Sequence, residues 1–210
     1  MKFFQIPYLL LSSFIFFFIG CSSIYSTLRK SEIPIFELCK FQPVFNSVLY
    51  TADVDVLNKH LSGLLLIKTM PDSSIRTVFT NEMGVKYFDF EFSLTKVFVV
   101  HYIIKQMNRK TVINTLHKDF EMMLMNRLNY STAYALQDDH YNYIVFPEHH
   151  EFIYYILAKN KDELIQVERT SKRNSKVKLL MKNYQQGVPD SIVFSHSNFN
   201  FVIKLTRIQH

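Results

Sequence analysis

Along most of this chain apolar side chains alternate with polar ones. Val54 and Val56 alternate with Asp53 and Asp55; Phe88, Phe90 and Phe92 with Asp89 and Glu91; Phe199, Phe201, Ile203 and Leu205 with Asn200, Lys204 and Thr206. A period of two puts successive side chains on opposite faces of a strand, so each of these segments has one greasy and one wet face. Antiparallel sheets are built this way, with one face covered and the other solvated. Leu61 to Met70, Ser74 to Thr80, Lys96 to Ile104, Ser131 to Leu136, Tyr143 to Phe146, Phe152 to Ala158, Glu163 to Arg169, Lys176 to Tyr184 and Ile192 to His196 are further strand candidates. Turn chemistry separates them at Asn58-Lys59-His60, Pro71-Asp72-Ser73-Ser74, Asp138-Asp139-His140, Asn160-Lys161-Asp162 and Gly187-Val188-Pro189-Asp190.

One segment departs from this period. Val112, Ile113, Leu116, Phe120, Met123 and Leu124 recur at helical spacing, opposite Asn114, Lys118, Asp119 and Glu121. The spacing predicts an amphipathic helix over about 109–126 with Asn108 as its N-cap. Its stripe has no partner except the greasy face of the sheet. The expected fold is therefore α+β, a single antiparallel sheet of about 9–11 strands with one helix laid on it. At 48% hydrophobic content the chain is long enough to bury one core.

The beginning of the chain is organised differently. Lys2, an apolar run from Ile6 to Ile19 and then Gly20-Cys21 have the layout of a cleaved secretory signal, residues 1–20. The run is short for a membrane span, which needs about 20 apolar residues. Phe18-Ile19-Gly20-Cys21 resembles the lipobox of bacterial lipoproteins. That resemblance implies a diacylglycerol thioether on Cys21 and an acylated amine after cleavage; an ordinary signal followed by a chance cysteine is the alternative. Two or three chains make a stable anchor where one does not. Ser22 in place of Asp implies the outer membrane by the enteric sorting rule. Residues 21–43, with Pro34 and Pro43, read as anchor and tether, partly docked through Ile33, Ile35, Phe36 and Leu38, and 44–210 as the domain. With Cys21 modified, Cys39 has no disulfide partner.

Two stretches carry a second resemblance. Ser62-Gly63-Leu64-Leu65-Leu66-Ile67-Lys68 followed by Pro71-Asp72-Ser73-Ser74-Ile75-Arg76, and Val188-Pro189-Asp190-Ser191-Ile192-Val193-Phe194 with the closing strand Phe199 to Ile208, are similar to hairpins of the LolA/LolB family of lipoprotein carriers and receptors. Unlike the LolB type, the chain has no Trp. The resemblance implies a curved half-barrel whose concave face is covered by the helix, and an apolar groove that takes acyl chains such as palmitate, of lipid or of another lipoprotein. Leu64, Leu66, Phe88, Phe90, Phe92, Val112, Leu116 and Phe120 are the candidate lining. A plainly packed core explains the same aromatic face equally well. The alternative function is a non-carrier structural or assembly lipoprotein working through protein contacts.

Catalytic and cofactor chemistry has little support. Asp138-Asp139-His140 and Glu148-His149-His150-Glu151 lie at opposite ends of one strand candidate, about 20 Å apart at 3.3 Å per residue, and cannot make one metal site. Ser195-His196-Ser197 is a local run, whereas triads come from separate elements. Four glycines in all leave no phosphate cradle. The net charge of +6 is spread along the chain, which excludes a nucleic-acid signature. Only the run Arg169, Lys172, Arg173, Lys176 and Lys178 is locally basic, as a soluble hairpin end or a contact for anionic head groups. No enzyme, metal or cofactor is expected.

Overall fold

The computed structural model describes residues 24–56, 59–95, 97–160 and 162–209; the expected signal segment, the lipobox Phe18–Cys21 and Cys21 itself lie outside them. The described strands are β1 (Arg29–Lys30), β2 (Ser47–Val56), β3 (Lys59–Thr69), β4 (Ile75–Thr80), β5 (Lys86–Phe92), β6 (Val99–Ile103), β7 (Tyr134–Gln137), β8 (Tyr141–Glu148), β9 (Glu151–Ala158), β10 (Leu164–Ser171), β11 (Ser175–Gln185), β12 (Val188–His196) and β13 (Phe201–Arg207). Among the described residues there is one α-helix, α1, over Lys110–Leu124, and a 3-10 turn spans Ile35–Phe41.

All thirteen strands form one sheet in the order β1-β7-β8-β9-β10-β11-β12-β13-β2-β3-β4-β5-β6. Every neighbour is antiparallel. Two meanders, β2 to β6 and β7 to β13, are joined where β13 returns beside β2. The sheet is an open half-barrel, as expected, with thirteen strands instead of about 9–11; β7 corresponds to the candidate Ser131 to Leu136, whereas β1, only two residues long, is too short to show a period. β6 and β7 lie at opposite sides of the sheet. The connection between them must cross it, and α1 makes that crossing over the concave face.

The register explains which residues the crossing helix meets. Tyr50 opposes Leu65, Leu65 opposes Phe79 and Phe79 opposes Phe88. On the other side Ala52 opposes Leu205, Leu205 opposes Ile192 and Ile192 opposes Met181. These rows, with Leu116, Phe120, Met123 and Leu124 of α1, are the main core. A 15-residue helix is marginal alone, but each fully buried side chain of this size contributes about 1.5–3 kcal/mol, so docking decides its stability.

Helix ends depart from the sequence expectation. Asn108 does not cap: Arg109 holds that position and makes no side-chain cap bond, while Asn108 closes a turn onto the Ile104 carbonyl at 3.1 Å. At the other end Met125 adopts φ 53°, a left-handed conformation that glycine usually supplies. Met125 is buried, its N–H returns to the Glu121 carbonyl, and its carbonyl accepts from Gln42 Nε2 at 3.1 Å.

The expected tether is, over 24–43, part of the domain. β1 adds to the sheet beside β7, and Leu38 and Phe41 are buried in the main core. Tyr25 and Leu28 lie on the outer face against a second apolar cluster of Tyr143, Val145, Tyr154 and Ile156. The Tyr25 ring is 4.2 Å from that of Tyr154, and its hydroxyl donates to Glu168. Sequence placed Ile33, Ile35 and Leu38 correctly among the docking residues, but Phe36 is 67% exposed.

Gly63 is required for space. Its φ is ordinary, but a Cβ there would sit 2.0 Å from the Thr80 carbonyl oxygen, at the point where the β4–β5 register slips between Phe79 and Thr80. In a strand, alanine is normally favoured over glycine by about 0.5–1 kcal/mol. Here the obstacle is backbone, which cannot rotate away, and overpacking of this kind costs about 1–3 kcal/mol. Gly63→Ala is therefore expected to lower the urea midpoint of unfolding; an unchanged or raised midpoint contradicts the steric assignment.

Candidate functional site

The two halves of α1 meet the sheet differently. Towards its C-terminus Phe120, Met122, Met123 and Leu124 are buried, and the Tyr155 hydroxyl donates to the Met122 carbonyl at 3.1 Å. Towards its N-terminus Thr111, Val112, Thr115 and Leu116 roof a cavity of about 690 Å³. Its floor is Ala52, Val54 and Val56 of β2, Leu61 and Leu65 of β3, and Ile203 and Leu205 of β13. Phe79 and Phe88 wall one side, Phe199 and Phe201 the other. The space exists because this part of the floor is short: Ala52 opposes Gly63, so two adjacent strands present almost no side chain.

Four of the residues expected from sequence line this space: Phe88, Val112, Leu116 and Phe120. Phe90 and Phe92 face the same side but are packed away in a filled cluster. Phe90 lies 4.5 Å from Phe88 and 5.3 Å from Phe98, Phe92 lies 6.0 Å from Phe120, and Phe98 stacks on His117 at 3.9 Å. Leu64 and Leu66 are on the opposite face, because the inward positions of β3 are Leu61, Leu65 and Ile67, which pair with inward Val54, Tyr50 and Val48. A run of four apolar residues has no phase of its own, but Ser62 and Lys68, exposed and of the same parity as Leu64 and Leu66, carried it. Val54, Val56 and the Phe199 to Leu205 alternation were read as strands without being assigned to a lining.

A polar cluster beneath the buried half of α1 was not visible in sequence. Asp119 accepts from Arg169 Nη2 at 3.1 Å and pairs with His196 Nε2 at 2.8 Å, with all three side chains at most 6% exposed. Glu151 lies 3.8 Å from Arg169 Nε and accepts from Lys118 at 2.7 Å and Lys176 at 2.5 Å. Burial pushes the Glu151 carboxyl up, but those hydrogen bonds and the nearby charges outweigh it and bring its pKa down to about 2. Arg169, expected at a solvated basic hairpin, is an interior residue; Lys172, Arg173 and Lys178 are the exposed ones.

The turn clusters remain turns. Asp138 accepts the backbone N–H groups of His140 and Tyr141, each at 2.8 Å, and Glu148 to Glu151 form the β8–β9 hairpin with His149 at φ 38°. Among the described residues no group of His, Cys, Asp or Glu is arranged to hold a metal ion, and no helix is long and apolar enough to cross a membrane. Cys39 is an exposed free thiol.

No protein-family model matches the chain, and no curated relative matches it. Among solved structures it is similar to a LolA superfamily protein from Nitrosomonas europaea, with 8% identity, a TM-score of 0.49, and 83% of this chain and 90% of that one covered. It is also similar to an outer membrane lipoprotein-sorting protein domain from Vibrio parahaemolyticus, with 9% identity, a TM-score of 0.48, and 82% and 88% covered. A DUF1329 family protein from Desulfovibrio piger gives 7% identity, a TM-score of 0.40, and 78% and 84% covered. At this level of similarity neither activity nor ligand carries over to this chain.

Proposed function

We propose that the protein binds acyl chains in the groove beneath α1, as a lipoprotein anchored through Cys21 that handles lipid or lipoprotein at the bacterial outer membrane. The observation that carries this reading is a cavity of about 690 Å³ whose floor and walls are aliphatic and aromatic. Small-ligand sites usually measure about 300–1,000 Å³ with a predominantly apolar lining. Moving each methylene from water into such a lining gains about 0.8 kcal/mol, so a chain of ordinary length needs no covalent chemistry to be held. The anchoring part of the reading is supported by the leader and by Phe18-Ile19-Gly20-Cys21. Tyr25, only four residues beyond Cys21, is already packed on the domain, which would hold the domain against the membrane surface.

The test is displacement of a fluorescent fatty acid from the purified protein. Saturable binding is expected, with loss in Val112→Glu, which puts a carboxylate on the roof at a half-buried position, and with an unfolding midpoint close to the wild type's showing that the loss is one of binding. Absence of binding at any accessible lipid concentration sinks the reading.

A further inference from the structure

The groove bears charge of one sign. Its lining contains two cationic side chains, Lys59 and Arg109, and no carboxylate. Strand register is the cause. Lys59 opposes Val56 and therefore points inward, while Asp53 and Asp55 alternate with Val54 and Val56 and point outward, where Asp55 meets His60 at 2.8 Å. On β5 the acids are likewise outward: Asp89 is taken by Arg76 and Lys86, each at 2.7 Å, and Glu91 by His101 at 2.7 Å. Asp119, the acid on the buried side of α1, is held by Arg169 and His196. Neither Lys59 nor Arg109 has a side-chain partner among the described residues.

Both cations stand at one end of the groove. Lys59 opens β3 opposite Val56, the last residue of β2, and Arg109 immediately precedes α1, on the connection that leaves β6 towards that same end; exposed Phe199, two residues before the Phe201 that also opposes Val56, lines the groove there too. Ala52, four residues along β2 from Val56, lies about 13 Å further in at 3.3 Å per residue. We propose that the groove takes an amphiphile with an anionic head group, carboxylate or phosphate, its head at Lys59 and Arg109 and its chain running towards Ala52 and Leu65. This assignment rests on the acyl-chain reading above and adds the head-group chemistry to it.

Four probes with the same chain length, each below its critical micelle concentration and at low salt, test it by calorimetry on the purified protein: myristate, methyl myristate, and the lysophosphatidate and lysophosphatidylcholine of that chain. A charge-assisted contact that stays partly solvated is expected to make the anionic probes bind about tenfold tighter than their uncharged or zwitterionic counterparts. The preference is expected to shrink in salt. It should vanish in the Lys59→Gln, Arg109→Gln double variant, in which methyl myristate and lysophosphatidylcholine serve as the internal reference for binding of the chain itself. A preference shown by myristate alone identifies a free fatty acid, and one shown by lysophosphatidate alone a phosphate-headed lipid; either supports the assignment. Equal affinity within each pair, or a preference that survives the double variant, overturns the head-group assignment while leaving the groove. Failure of all four probes to bind overturns the groove reading together with it.

Discussion

Asp119→Ala is expected to cost about 3–5 kcal/mol of unfolding free energy, the range found when one partner of a buried ion pair is removed. The size follows from what would remain. The Arg169 side chain is 6% exposed, and its Nε and Nη1 already lack hydrogen-bond partners. Glu151 cannot take over, since it lies 3.8 Å from Nε and is engaged by Lys118 and Lys176. The variant would thus leave a guanidinium buried with its main counter-charge gone, in a domain whose whole stability is on the order of 5–15 kcal/mol. Replacing the set together, Asp119→Leu with Arg169→Met and His196→Phe, is expected to restore most of the loss, because no charge is left to desolvate. Urea unfolding of the two variants measures both. A cost below about 1 kcal/mol for Asp119→Ala would mean that water reaches the cluster and that the buried half of α1 is held by its apolar contacts alone.

That cluster also shows where sequence reading ends for this chain. Period-two alternation at Val54, Phe90 and Ile203 and the helical spacing of Leu116, Phe120 and Met123 are local signals, and they yielded the antiparallel sheet and its crossing helix. Asp119, Arg169 and His196 are 50 and 27 residues apart in succession, and only the β10-β11-β12 register and the docking of α1 bring them together. Arg169 looked like its neighbours Lys172 and Arg173 because charge alone does not tell an inward position from an outward one; parity with buried Val167 does. The groove was half legible for a similar reason. Phe88, Val112, Leu116 and Phe120 follow from amphipathic patterning, whereas its openness depends on Ala52 opposing Gly63, a pairing between strands. The docking of 24–43 was understated because two residues of β1 and a single 3-10 turn are too short to show a period.

Ala52→Phe is expected to weaken acyl-chain binding more than a hundredfold while leaving the fold intact. Ala52 has the smallest side chain among the floor residues and sits on β2, which is paired on both sides, so its direction is fixed by register with Gly63 and Leu205. A phenyl ring there would project into the empty space and displace about four methylenes of any bound chain, about 3 kcal/mol at 0.8 kcal/mol each, hence more than two decades in affinity. The same substitution in a filled core would force neighbours off their rotamers and cost about 1–3 kcal/mol. Stability and binding therefore separate the two descriptions of this face. An open groove gives lost binding with an unchanged or raised unfolding midpoint, since the ring gains contacts that the native side chain lacks. A lowered midpoint points to a packed core, and wild-type affinity in a folded Ala52→Phe protein would move the ligand out of this groove altogether. Gly63, the other short position, cannot serve for this test, because the Thr80 carbonyl blocks any side chain there and a loss of binding would be inseparable from a loss of fold.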